Sequence, residues 1–231
     1  MRLHGGSGEK RVAVPRYLSQ TYWWAYVHPS AVRVFERQWL VNLILFGNYA
    51  KLRDAALEEF APPAGRNLQV ACVYGDLTAK LSDRIGEDAS LDVVDVLPVQ
   101  LANLARKLNG ERRARLFLGD SSALGVEDAS YDRALLFFLL HEQPEAVRRA
   151  TLAETLRVVK PGGTVVVVDY HRPARWHPLR PLLKPLLGRL EPFAMDLWRK
   201  DLSAWLPDDY RGPVLKETFF GGLYQKVVLR S

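Results

Sequence analysis

The sequence predicts an α/β domain built on a mostly parallel, doubly wound sheet of seven strands, with helices on both faces. Three observations lead there. After Gly65, short β-branched runs alternate with helical patterns, which is how successive βαβ units read. Residues 16–60 are helical in pattern and precede every strand. At the other end, 214–220 and 223–229 flank Gly221-Gly222, a two-residue hairpin signal that adds an antiparallel pair.

Each element follows in order. In the helical extension, 17–26 is rich in aromatics, His28-Pro29 interrupts, and 31–60 recurs in apolar residues at helical spacing. Pro62-Pro63-Ala64-Gly65 ends that run, since proline cannot continue a helix. Strands are expected near 68–73, 91–95, 114–118, 131–138 and 164–169. Helices are expected over 99–108 and 144–159, the second stopping at Lys160-Pro161-Gly162-Gly163. Residues 171–213 hold prolines at 173, 178, 181, 185 and 192 and are too long for a plain loop, which marks a functional insertion. The organisation is then one domain over 1–231: a helical cap (16–60), a binding core (66–170), the insertion and a closing hairpin (214–230).

Bulk properties narrow the function classes. A chain of 231 residues with 48% apolar content can bury one large core. The single cysteine, Cys72, excludes an internal disulfide and a thiolate-rich zinc site and points to a reducing, cytoplasmic setting. No apolar run approaches the roughly 20 residues that cross a bilayer, and the basic amino-terminal stretch lacks the apolar segment of a secretory signal. Net charge is +6, and between 171 and 190 lie Arg172, Arg175, Arg180, Lys184 and Arg189 with no acidic residue. Leucines and Trp176 interleave these cations, which suits an anionic membrane surface and peripheral attachment to the inner membrane. No nucleic-acid-reading element is present, so nucleic acid is not an expected partner.

In open α/β sheets a ligand lies beyond the carboxyl ends of the strands. Four such junctions stand out. The first is Gln69-Val70-Ala71-Cys72-Val73-Tyr74-Gly75-Asp76, a strand turning into a helix through one glycine. Asp95 ends the next strand 20 residues after Gly75 and is placed to accept both hydroxyls of a ribose. Gly119-Asp120-Ser121 offers Asp120 as an acceptor for an adenine amino group, and Lys160-Pro161-Gly162-Gly163 precedes the strand that ends at Asp169. Taken singly, each is a common turn.

In order and spacing, the series resembles the class I S-adenosylmethionine-dependent methyltransferases over 66–231, with Asp95 matching the ribose acid and Asp120 the adenine contact. That resemblance implies a Rossmann-like fold of this class and S-adenosylmethionine as co-substrate. Gln69, Ala71, Val73, Tyr74, Gly75, Asp95, Val96, Leu97, Asp120, Ser121 and Phe137 are the expected cofactor contacts. Two positions depart from the pattern: Gln69 replaces an acid, and Val73, followed by Tyr74, stands where the first loop glycine is expected.

Five segments carry a closer resemblance: Thr21-Tyr22-Trp23-Trp24-Ala25-Tyr26-Val27-His28-Pro29, Phe35-Glu36-Arg37-Gln38-Trp39-Leu40, the 70–76 loop, Leu139-Leu140-His141-Glu142-Gln143-Pro144 and Asp169-Tyr170-His171-Arg172-Pro173. They look like the rhodoquinone-biosynthesis proteins of the RquA type. The resemblance implies conversion of ubiquinone to rhodoquinone, with S-adenosylmethionine supplying the amino group and a divalent metal, manganese, assisting.

Physical reasoning runs alongside. An amine attacks a ring only when unprotonated, and a nearby carboxylate would favour its charged form, so Gln69 in place of an acid suits amine attack. Val73 and Tyr74 crowd a loop where close backbone approach needs a missing Cβ. His141 and Glu142 end one predicted strand and Asp169 and His171 end its neighbour, so His141, Asp169 and His171 are the expected metal ligands. Gln69, Tyr74, His141 and Asp169 are the expected catalytic residues. Tyr22, Trp23, Tyr26, His28 and His171 are expected to hold the flat quinone ring.

Overall fold

A computed structural model describes residues 14–21, 32, 34–63, 65–110 and 114–231. Among the described residues, helices α1 (Arg16–Thr21), α2 (Gln38–Ile44) and α3 (Tyr49–Glu58) precede the sheet. The helical run expected over 31–60 is divided at Phe46 and Gly47, whose φ values of 51° and 77° lie in the left-handed region that no helix can pass through.

Seven strands follow: β1 (Arg66–Val70), β2 (Ser90–Asp95), β3 (Ala114–Leu118), β4 (Tyr131–Phe137), β5 (Val159–Tyr170), β6 (Val214–Phe219) and β7 (Tyr224–Arg230). They order as β3-β2-β1-β4-β5-β7-β6. The first five run parallel, and β7 pairs antiparallel with both β5 and β6. Central strands carry apolar side chains on both faces, as parallel strands buried on two sides must, and Val165, Val166, Val167 and Val168 are all fully buried. At the edge, β6 exposes all but Phe219 and places Lys216 and Glu217 on its rim, which discourages pairing with another sheet.

The connecting helices are α4 (Leu77–Arg84), α5 (Pro98–Lys107) and α6 (Glu145–Val158). Expected and observed elements agree closely over 66–158, with one difference beyond. Residues 159–163, expected as a helix stop, begin β5 instead, and its register against β4 shifts between Tyr131 and Arg133. A glycine pair breaks a helix but is tolerated where a strand is bulged.

The proline-rich insertion folds over the carboxyl ends of β4 and β5 as α7 (Arg180–Leu190), α8 (Ala194–Arg199) and a 3₁₀ turn at Leu202–Trp205. Prolines at 181 and 185 do not prevent α7: the first sits in the opening turn, where its missing N–H has no helical partner to lose. Leu183, Leu187, Leu197, Trp198 and Trp205 anchor the insertion in the main core. Because the chain runs outward from β1 to β3 and then returns to β4, the crevice opens between β1 and β4, at their carboxyl ends.

Candidate functional site

The β1–α4 loop is built around one strained residue. Ala71 adopts φ 73°, a conformation natural to glycine and costly for a residue with a Cβ. Val73, where the sequence reading set the missing glycine, has no such conformation, so the position that asks for glycine is Ala71, two residues earlier. Gln69 is fully buried beneath this turn and donates from Nε2 to the Ala71 carbonyl at 2.9 Å. Gly75, at φ 85°, leaves room for Tyr49, whose hydroxyl would lie 2.5 Å from an added Cβ. That hydroxyl donates to Asp76 and accepts from the Leu77 N–H, pinning the start of α4.

A cavity of about 570 Å³ opens above the loop. Ala71, Val73 and Tyr74 line it from β1, Asp95, Val96 and Leu97 from β2, Asp120 and Ser121 from the β3 end, and Phe137 from β4. The structure thus brings together nine of the eleven expected cofactor contacts. The other two, Gln69 and Gly75, stand behind the wall and shape it. Tyr74 is held in place by Gln100, which donates to its hydroxyl at 2.8 Å, and by stacking on Phe35.

Asp95 is buried at the floor of this end. Its Oδ2 accepts from the Cys72 N–H at 2.7 Å and its Oδ1 from the Leu97 N–H at 2.8 Å. A carboxylate offers acceptors only, which suits a vicinal diol. Burial raises the Asp95 carboxyl to about 6, with the N–H donors opposing it. Nearby, Asp120 accepts from the N–H and hydroxyl of Ser122, and Gln143 donates to Ser121.

The wall above β4 carries His141. A 3₁₀ turn, Leu140–Glu142, lifts it into the cavity, and Arg148 braces that turn by donating to the carbonyls of Leu140 and Gln143. Asp169 at the end of β5 is fully buried and accepts backbone N–H groups from Leu140, His141 and Tyr170. Its Oδ1 also sits 2.9 Å from His141 Nδ1, while Nε2 lies 3.7 Å from Glu142 and 4.0 Å from Glu191. Burial works against an imidazolium, but the Asp169 carboxylate, helped by Glu191 and Glu142, outweighs it and raises His141 to about 9. The balance favours the imidazolium form of His141.

Several expectations need correction. His171 does not join His141 and Asp169: its Nδ1 lies 2.8 Å from the Gly222 carbonyl, and it borders a separate recess with Arg172, Arg175 and Arg180. Asp169 has both oxygens committed to N–H donors and the imidazole, which leaves it no geometry for a cation. Among the described residues no group of three or more His, Cys, Asp and Glu side chains can hold a metal ion. The proposed manganese ligands do not fit that role. Nor is the cavity free of carboxylates once Gln69 replaces an acid, because Glu142 and Glu191 also line it. Tyr22, Trp23, Tyr26 and His28 lie outside the described residues.

Sequence reasoning passed over a second network. Glu36 accepts from the Gly75 N–H at 3.2 Å and from Asn103 at 2.6 Å, and Lys107 pairs with it at 2.7 Å. The helical extension thus contributes a carboxylate to the loop after β1. Glu36 stood within one of the segments quoted above, but only tertiary contact reveals its target.

The relatives of this chain bear on the same site. Residues 68–163 match the family model described as a methyltransferase domain. The chain is similar to the demethylmenaquinone methyltransferase of Staphylococcus saprophyticus, 29% identical over 172 residues that cover 74% of this chain and 70% of that one. It is also similar to the protein of the same name from Bacillus licheniformis, 28% identical over 149 residues that cover 64% of this chain. The match spans 63% of the Bacillus protein, just under two thirds of its length. Among solved structures, a SAM-dependent methyltransferase from Aquifex aeolicus superposes with a TM-score of 0.59 at 18% identity, over 88% of this chain and 98% of that one. The chain has the class I methyltransferase-like fold.

Proposed function

We propose that this chain is an S-adenosylmethionine-dependent transferase acting on the ring of a prenylated quinone, and that it converts ubiquinone to rhodoquinone: the cofactor's amino nitrogen bonds to the ring carbon as the ring C–O bond breaks and methanol leaves, and the cofactor's Cα–N bond then breaks with loss of its Cβ proton, which leaves the nitrogen on the ring and releases the carbon skeleton as an alkene. One observation carries the reading: a single cavity holds a buried carboxylate, Asp95, an imidazole set against a second buried carboxylate, His141, and a long apolar stretch from Leu43 and Ile44 to Leu186 and Leu190. Such a space suits a nucleoside, a ring with polar carbonyls and a hydrocarbon tail at once.

S-adenosylmethionine supplies the transferred group when bound. Asp95 holds its ribose and Asp120 its adenine, in this reading. Ala71, Val73 and Tyr74 put side chains where bare glycine backbone would permit closest approach, so the amino-acid end of the cofactor takes a different pose. His141, oriented by Asp169, donates a hydrogen bond from Nε2 to a ring carbonyl and draws electron density from the carbon under attack. The amide of Gln69 acts indirectly, by holding the Ala71 turn.

Methyl transfer to a quinone ring is the second reading, favoured by the similarity to the two demethylmenaquinone methyltransferases. The two differ in which atom moves. Turnover with S-adenosylmethionine labelled with ¹⁵N at the amino nitrogen, and separately with ¹³C at the methyl, distinguishes them by product mass. Nitrogen label in the ring product supports amino transfer; methyl label alone overturns it in favour of the second reading.

A further inference from the structure

Two helices from distant parts of the chain share an unusual property. In α2, five of the seven residues of Gln-Trp-Leu-Val-Asn-Leu-Ile are apolar, yet none is buried. Trp39 and Leu43, one turn apart, are 61% and 63% exposed. In α7 the leucines form two stripes: Leu183 and Leu187 enter the core, while Leu182, Leu186 and Leu190 follow at helical spacing on the outside and are exposed. An amphipathic helix needs one apolar stripe for its own protein, so the second is left to something else. Leu43 and Ile44 of α2 and Leu186 and Leu190 of α7 also line the cavity, which places its mouth between the two outward stripes.

Charge identifies the partner. Arg172, Arg175, Lys184 and Arg189 are exposed around α7, and among the described residues neither they nor the half-buried Arg180 forms an ion pair. Three of these arginines and His171 frame a shallow recess beside the start of α7. Trp176, 78% exposed, stands among them. Unpaired cations next to exposed tryptophan and leucine are what an interfacial element presents to anionic headgroups and the acyl chains beneath. A second copy of the chain would bring the same positive surface against itself.

We propose that α2 and α7 form the two sides of a membrane-docking surface that seats the cavity mouth on an anionic phospholipid bilayer, so that a prenyl tail passes directly from bilayer to cavity. The route for the tail rests on the quinone reading above; the docking itself does not. Trp39 and Leu182 belong to the outward stripes and do not line the cavity, which makes them the positions to test.

Flotation of the full chain, without cofactor or quinone, is measured on vesicles of phosphatidylcholine and on vesicles that also contain phosphatidylglycerol. The parent floats with the anionic vesicles and much less with neutral ones. Trp39→Asp with Leu182→Asp lowers partitioning by roughly tenfold or more. Lys184→Gln and Arg189→Gln lower it by roughly fivefold for each cation removed and narrow the lipid preference accordingly. Circular dichroism and turnover of a water-soluble short-chain quinone stay at parental values in the stripe variant.

The proposal is overturned if the parent fails to float with anionic vesicles, if the stripe variant floats like the parent, or if light scattering shows a dimer that the stripe variant dissolves. Vesicle binding with no label transfer to any quinone removes the proposed reaction and leaves the docking surface in place. Turnover of the short-chain quinone with no vesicle binding does the reverse.

Discussion

Asp95 and Asp169 are both buried aspartates at the carboxyl ends of parallel strands, and both accept backbone N–H groups, yet they are set up for opposite tasks. Asp95 ends β2 on the cavity wall and keeps acceptor capacity toward the open space, so burial without a cation raises its own carboxyl. Asp169 ends β5 behind the wall, spends its capacity on three N–H groups and one imidazole, and transfers its effect to His141. One carboxylate faces the open space and the other faces a neighbouring side chain. The difference comes from what lies on the far side of each oxygen, which the strand pattern alone does not specify.

That contrast breaks most sharply at His141. Replacing His141 by Ala is expected to lower turnover by about 10³-fold through loss of the proton-donating group, with S-adenosylmethionine affinity changed by less than about twofold. A large loss of cofactor affinity instead would place His141 in the binding end. Turnover that needs the imidazolium declines as pH rises through about 9, and Asp169→Asn moves that limb down, because burial then opposes the imidazolium without its main carboxylate partner. Folding follows the same sign: because the folded value is raised, the stability that the Asp169–His141 pair supplies is fully present below about 6.5 and is lost as pH rises through about 9.

Asp95→Asn is the next largest effect. Removing the carboxylate is expected to weaken cofactor affinity by about 30-fold, as for a hydrogen-bonded charged acceptor, leaving turnover at saturating cofactor near parental. Calorimetry checks both this and its pH dependence. Affinity falls as pH drops through about 6, where the parent carboxyl takes up a proton, and the variant shows no such step. Folding alone runs the other way, since a raised carboxyl favours the protonated folded state: its contribution is present below the ordinary carboxylate range and lost as pH rises through about 6. Cofactor binding and bare-fold stability therefore pull Asp95 in opposite directions.

The smallest effect tests the floor beneath Asp95. Ala71→Gly relieves a left-handed alanine and is expected to raise the unfolding free energy by about 1 kcal/mol, read by urea denaturation. No gain would mean that the Gln69 amide already offsets the strain at this turn.

Much of the cofactor end was legible from sequence because its residues follow strand ends, where period, spacing and turn composition are local. Asp95, Asp120 and Ser121 were placed on the cavity for that reason. Sequence reading erred where a side chain's direction depends on another element. His171 follows β5 closely enough to suggest a shared site with Asp169, but it meets Gly222 in the closing hairpin instead. Glu36 was overlooked because its partners, Gly75, Asn103 and Lys107, lie 39, 67 and 71 positions away in sequence.

Alternation of apolar runs, the order of strand-end acids and the patterning of helices were sufficient to determine the sheet, its direction and the end at which a ligand binds, because those are properties of period and local sterics. Tertiary structure alone decided that Asp169 turns to His141 and not to His171, that Glu36 reaches the loop after β1, and that α2 and α7 leave apolar stripes beside the same mouth. Those outcomes depend on contacts between segments far apart in the chain, where desolvation and unshared lone pairs, rather than local conformational preference, set the free energy.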